Sequence, residues 1–457
     1  MSGGGGLGST GVAAAAAAFN TAASDIANPV THSALDFFEK PSVLINYECS
    51  FDQEVFPQVG ASGPTLDFVV CGDNRNCIDL NYIHLGITAA IYNADGRDKV
   101  KADDASKVIF SNNTLHSLFS QVELYLNGVL ISDSNNTYHH RSFIETELTT
   151  NDDSKKTWAE CQGYCYNPDP EDARKTLEWS ANRLKRTLNA DYRQCFYGAL
   201  YVDFFTCERL LLPNVTMRVK LYRAASEFSL TSLADDADKN FCAVIEKASL
   251  FVRKVTVTES VKVSIERALL KSPARYPYVE SLCKSFIIQT GQNSFVKESI
   301  FGTEPIRRLT LCMVANKDFR GSRASDPFHY KKYDMSRVEL LRGNGVPIAG
   351  TPVDTRDNAR IYHNSLSALG FKNGGNGIAL DDFCDHFVLV FDLTSSQEAS
   401  KTLTVFPELT GAPLTLKLFF EKQLPEPVEL YLIGEKFSQV FVNSDRNISK
   451  NQLNFYG

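Results

Sequence analysis

Apolar and polar residues alternate with a period of two along many short stretches of this chain, and one such stretch occurs twice. In Ser120–Val129, SQVELYLNGV, Val122, Leu124 and Leu126 alternate with Gln121, Glu123 and Tyr125, which puts the aliphatic side chains on one face of a strand. Asn127-Gly128 follows, a pair suited to the positive φ angles of a tight turn, so the stretch predicts a hairpin. Ser336–Val346, SRVELLRGNGV, repeats the alternation at Val338 and Leu340 and the turn at Asn344-Gly345, after an extra Gly343 that suggests a bulge.

A second pair of stretches points the same way. Val202-Asp203-Phe204-Phe205, then Leu212-Pro213 and the alternating Met217–Leu221, resembles Leu416–Phe420, then Leu424-Pro425 and Val428–Leu432. Two such units in the same order and at nearly the same offset predict one domain of about 200 residues present twice, although hairpins of any all-β protein look alike. Further strands are expected at Val43–Val55, Leu66–Cys71, Cys77–Tyr92 and Val244–Val257, with turn residues at Gly60–Pro64 and Asn93–Asp98. Tyr138–Leu148 reads as a short helix. A second helix has Asp169 as its cap, Pro170 at its first position and Glu171 and Asp172 at the positive end of its dipole. Its Ala173, Leu177, Ala181, Leu184 and Leu188 share one face, and Arg174, Lys175, Lys185 and Arg186 read as a solvated face, not a nucleic-acid site.

These signals divide the chain. Residues 1–40 form a Gly-rich and then Ala-rich arm with little to bury, expected to be flexible alone, while its poly-Ala stretch could become helical against a neighbour. Aromatic residues stop near Thr231–Lys239, so the expected order is a first domain at 41–230, a linker at 231–240, a second domain at 241–445 and a tail at 446–457. The connections Asn316–Lys332 and Val353–Asp382, the latter containing GFKNGGNG, are long enough to be expected to be functional or ordered by a partner.

Composition narrows the function classes. A chain of 457 residues allows two to three domains at about 150 residues each. Its 43% apolar content, with 30 Phe and 18 Tyr, suits strands with ample core. A net charge of −7 and a pI near 5.7 argue against nucleic-acid binding through the body of the protein. Eleven scattered cysteines favour neither a disulfide framework nor a zinc module and suggest a reducing compartment. Cys161 with Cys165 and Cys71 with Cys77 are read as small buried thiols ahead of ligand or disulfide pairs. Sequons begin at Asn112, Asn135, Asn214 and Asn447, but no signal peptide precedes them, so glycosylation is not expected, and no apolar run approaches the ~20 residues of a membrane span. No GxxxxGK[ST], GxGxxG, HExxH or GxSxG motif occurs, so no catalytic, cofactor-binding or metal residues are expected. The best local clusters, His139-His140-Arg141 and Asp381-Asp382-Phe383-Cys384-Asp385-His386, are read as surface or hydrogen-bonded polar residues ahead of metal ligands.

The order of motifs resembles the double jelly-roll major capsid proteins of adintoviruses and the related Maverick/Polinton elements. The resemblance is carried by Cys77-Ile78-Asp79-Leu80, by Leu118-Phe119 followed by VELYLNG and Tyr138–Glu145, and by VDFF…LLLPNVTMRVKLYRA. It continues through Ala274-Arg275-Tyr276-Pro277, Arg307–Val314, DFRGSRASDPFHY and Phe391-Asp392-Leu393-Thr394, and so spans about residues 42–445. The Gly/Ala arm and the Cys161–Thr187 insertion depart from the family pattern.

The resemblance implies an all-β fold of two tandem eight-stranded jelly-roll β-sandwiches with short helices in the connections. It implies a homotrimeric, pseudo-hexameric capsomer that assembles into an icosahedral shell around a DNA genome. The expected partners are further copies of the chain and a single jelly-roll penton or minor capsid protein, the expected location is the virion, assembled inside the host cell, and no enzyme activity or sequence-specific nucleic-acid binding is implied. Two alternatives stand beside it: a capsid-derived protein reused by a host genome, and a carbohydrate-binding or enzymatic jelly-roll protein.

Overall fold

The computed structural model describes residues 46–93, 98–100, 108–165, 193–232, 241–343, 345–348, 350–371, 380, 383, 386–394, 397, 399 and 412–452. The N-terminal arm, the helix expected from Asp169, Asn344 and most of the GFKNGGNG connection lie outside the described residues.

Ten strands come first: β1 (Tyr47–Val55), β2 (Thr65–Val70), β3 (Asn76–Tyr92), β4 (Val108–Phe110), β5 (Phe119–Leu126), β6 (Val129–Asp133), β7 (Gln194–Ala199), β8 (Met217–Arg223), β9 (Leu230–Ser232) and β10 (Cys242–Val257). They form one sheet in the order β1-β10-β3-β7, a second in the order β2-β8-β5-β6, and a small β4-β9 ribbon. All pairings are antiparallel. Ten more follow: β11 (Ala274–Ile288), β12 (Ser294–Lys297), β13 (Arg308–Ala315), β14 (Met335–Arg342), β15 (Val346–Pro347), β16 (Val353–Asp354), β17 (Val388–Asp392), β18 (Leu414–Phe420), β19 (Val428–Val442) and β20 (Ile448–Gln452). Their sheets run β11-β19-β13-β17 and β12-β18-β14-β15, with β20 added to β19 and β16 to β14. Counting eight core strands in chain order in each half, both sandwiches have the strand orders 1-8-3-6 and 2-7-4-5. The fold is thus a tandem pair of eight-stranded jelly rolls, each bringing its last strand back beside its first.

Alternation explains these strands. β2 and β8 bury every second residue, and Leu66, Phe68, Val219 and Leu221 are fully buried between the first two sheets. The duplicated hairpins fall on equivalent elements, β5-β6 and β14-β15, each at the end of its sheet. Asn127 and Gly128 have φ of 45° and 83°, and Gly343 and Gly345 have 55° and 87°, so both turns use the left-handed region.

Several expectations are corrected. The second matching pair is not an equivalence: Asp203–Thr206 is a 3-10 turn, whereas Leu416–Phe420 lies in β18, whose counterpart is β8. A Phe pair beside a Leu-Pro turn carries no register, because either conformation buries two rings. The division at 231–240 is also displaced. β10 pairs with β3 from Cys242 to Thr256 and with β1 from Leu250 to Val257, so a strand assigned to the second domain is a central strand of the first sandwich. The helix Glu259–Leu269 then links the sandwiches. Part of the 446–457 tail is β20, paired with β19. Residues 316–332 pack against their own chain, with Phe328 and Tyr330 fully buried, and the helix Asn358–Leu369 lies in the next long connection, whose residues 372–379 and 381–382 lie outside the described residues.

Among the described residues no helix is long and apolar enough to cross a membrane. Two hydrophobic clusters follow the two sandwiches, but each borrows from the other: Tyr276, Tyr278, Val440 and Val442 join the first, and Phe143, Ile144, Leu148 and Phe228 join the second.

The placement of β10 is testable. Leu250 is fully buried, and L250A is expected to lower unfolding free energy by about 2–5 kcal/mol. Amide exchange should rise first in β1 and β3; a rise confined to β11 and β13 would put the strand in the other sandwich.

Candidate functional site

The most densely built region is the seam between the sandwiches. At its centre lies the helix Tyr138–Thr149, foreseen at Tyr138–Leu148, with ten of its twelve residues buried. A surface helix buries one stripe; this one is covered on opposite sides, by the first sandwich and by the second.

His139 and His140, set aside in the sequence as a possible ligand cluster, are packing and hydrogen-bonding residues here. His140 Nε2 lies 3.0 Å from the Phe319 carbonyl oxygen, which can only accept, so Nε2 carries the proton. Nδ1 therefore accepts from the Tyr330 hydroxyl at 3.0 Å. Both ring nitrogens are occupied, and burial lowers the His140 pKa to about 4, so the ring is neutral near neutral pH. Burial also holds His139 well below its usual value, and its ring packs against Phe228 with centroids 3.8 Å apart. One turn on, Phe143 stacks on Phe328 at 4.3 Å and 7°. Of the second cluster, only Phe383 and His386 are among the described residues. Among the described residues no group of three or more His, Cys, Asp or Glu is arranged to hold a metal ion.

Beside the aromatic contacts runs a line of buried charge. Arg141 Nη2 donates to Asp203 Oδ1 at 2.5 Å, and the Asp203 carboxylate also accepts the Ser281 amide N–H and hydroxyl, each at 3.0 Å. Glu435 on β19 holds Arg307 at 3.1 Å and Arg308 at 2.6 Å. These residues and Glu145 line a cavity of about 250 Å³, balancing three cations with three carboxylates. Burial raises the pKa of Glu145 and Asp203 by more than Arg141 lowers them. Burial would likewise raise Glu435, but Arg308 and Arg307 outweigh it and hold its carboxyl below the ordinary range. Burial would lower Arg141, yet Asp203 and Glu145 outweigh it and raise its pKa. Each guanidinium is paired with a carboxylate of its own sandwich, and Asp203 reaches across the seam through its bonds from Ser281.

The cysteines are free thiols wherever described. Reading them as small buried groups is right for Cys77 and wrong for Cys71 and Cys161, which are exposed, while Cys165 is half-buried. Sequence reasoning missed Asp203, Arg307, Arg308 and Glu435. Their one available signal was charge inside an apolar strand pattern, as at Glu435 in β19.

The ionic contact makes a defined expectation. Removing one member of a buried pair strands the other, so R141M and D203L should each cost about 3–5 kcal/mol. The double variant R141M/D203L should cost less than the sum, read by chemical denaturation of all four proteins. Additive losses would mean the pair is not coupled.

Comparisons place this architecture among known folds. No family model matches the chain. An uncharacterised protein of Caenorhabditis elegans is 23% identical over 399 residues, covering 83% of this chain and 91% of that protein. Among solved structures, that of the Sputnik virophage superposes with a TM-score of 0.62 at 10% identity, covering 93% of this chain and 92% of the other. The quasi-atomic model of the PBCV-1 virus capsid gives 0.57 at 10% identity, covering 92% and 100%, and the mavirus major capsid protein gives 0.54 at 11%, covering 93% and 94%. With so little identity over nearly the whole chain, the likeness is one of fold: this chain has the double jelly-roll architecture of viral major capsid proteins.

Proposed function

We propose that the chain is a major capsid protein of the adintovirus or Maverick/Polinton type, a structural subunit and not an enzyme. One observation supports the reading: the tandem pair of sandwiches superposes on the mavirus major capsid protein over 93% of this chain and 94% of that protein. Three chains, each with two sandwiches of one topology, supply six similar wedges, which tile as hexagons while keeping closed threefold symmetry. Such homotrimeric capsomers build an icosahedral shell around a DNA genome, with a single jelly-roll penton protein at the fivefold positions, and the mature location is the virion. The acidic balance suits a shell that encloses nucleic acid without reading its sequence.

The nematode relative favours a second reading, a capsid gene carried in an animal genome and reused there. Both readings share the assembly and differ in the cargo, since a reused shell need not protect its own genome.

Purified full-length protein should elute with a mass three times that of its 50.8 kDa chain and show hexagonal capsomers in negative stain. Only monomer across micromolar concentrations would overturn the capsid reading. Nuclease-protected DNA of the element's own genome inside particles formed in cells would separate the viral from the reused reading.

A further inference from the structure

The first core strands of the two sandwiches, β1 and β11, occupy the same position, each at the edge of its sheet, but are treated differently. The outward backbone of β11 is capped by side chains of the first sandwich. Asp203 accepts the Ser281 N–H at 3.0 Å, Asn135 Nδ2 donates to the Cys283 carbonyl at 3.4 Å, and Arg209 donates to the Arg275 carbonyl. Positions 275, 281 and 283 share parity, as one edge of an antiparallel strand requires. Among the described residues no side chain caps the outward backbone of β1. Its residues Tyr47 to Asp52 are all exposed, Tyr47 at 44% and Phe51 at 46%, and Phe56 beyond the strand is 59% exposed. A long edge carrying exposed aromatics is normally covered.

The surface that would cover it has an internal template. The helix Asn358–Leu369 sits between the fifth and sixth core strands of the second sandwich, as Tyr138–Thr149 does in the first, and both have twelve residues. The first buries ten residues, the second only Ile361, Ser365 and Ala368. At the third and sixth positions, where His140 and Phe143 reach into the second sandwich, stand Arg360 and His363, both exposed. Each chain therefore has one seam made internally and one of each half-seam unused, a helix-bearing surface and a strand edge.

We propose that the open edge of β1 docks a second copy of this chain, which presents the surface carrying its helix Asn358–Leu369 and repeats between chains the seam made within each. The contact is heterologous, helix surface to strand edge, and closes as a ring; with three chains, three internal and three intermolecular seams alternate. This rests on the capsid reading and specifies which surfaces build its capsomer.

The test compares wild type, F51E, R360E/H363E and, as a control outside these surfaces, V296E on β12, a residue 52% exposed. All substituted positions are exposed, so circular dichroism and melting should match wild type. F51E and R360E/H363E should raise the trimer dissociation constant at least about tenfold, read by mass photometry, while V296E leaves it unchanged. In wild-type trimer, β1 amides should exchange more slowly than in the F51E monomer. A wild-type trimer that both variants leave intact, or that V296E disrupts equally, overturns the assignment of surfaces and leaves the capsid reading standing. A monomeric wild type overturns both.

Discussion

An edge strand cannot be left bare inside a protein, and the rest of this structure depends on how that constraint is met at β11. The first sandwich supplies Asp203, Asn135 and Arg209 to the outward backbone groups of β11, and its helix Tyr138–Thr149 enters the space between the two bodies. The seam therefore consists of edge-capping hydrogen bonds and interdigitated aromatic rings, not of a flat apolar face. Tilting one sandwich against the other would break several backbone bonds together and separate Phe143 from Phe328. The sandwiches are thus joined by contacts along the seam as well as by the helix Glu259–Leu269.

The charges beside the seam are paired within each sandwich. Burying Arg141, Arg307, Arg308, Glu145, Asp203 and Glu435 around one cavity costs desolvation that their mutual attraction largely offsets. Each guanidinium fixes a carboxylate of its own sandwich, and the Asp203 carboxylate that Arg141 holds accepts two bonds from Ser281 of the other sandwich. His140 adds a neutral bridge, its two nitrogens committed to Tyr330 and to the Phe319 backbone. The bonds of Asp203 to Ser281 and of His140 to Tyr330 and Phe319 cross between the sandwiches, while the two apolar clusters supply the driving force for burial.

Two sandwiches with one strand order but little shared sequence show how loosely a jelly roll constrains residue identity. The same lesson holds between proteins, where about 10% identity accompanies a superposition over nine-tenths of the chain. A sheet needs apolar residues facing in and a turn where the strand ends, and many residues satisfy both. Connections are freer still: the link from fifth to sixth core strand carries a fully wrapped helix in one half and a half-exposed one in the other.

By itself the sequence determined what is local. Period-two alternation located β2, β3, β5, β8, β14 and most of β10, and Asn127-Gly128 marked its hairpin because few pairs adopt two successive positive φ angles at so little cost. The same local signals placed the helix at Tyr138–Leu148, while the jelly-roll fold came from the resemblance that the order of motifs bears to a known family. They did not determine which sheet β10 joins, because an alternating strand carries its face but not its neighbour, and its partners on β3, from Tyr92 for Cys242 to Asn76 for Thr256, are distant in the chain. Nor could they show that Asp203, followed by two Phe residues, is an edge cap and not part of a strand, since its partners Arg141 and Ser281 come from distant segments. Only the tertiary structure decided the seam, because a buried charge is permitted only where folding brings its counter-charge, and that coincidence is written in no single stretch of the chain.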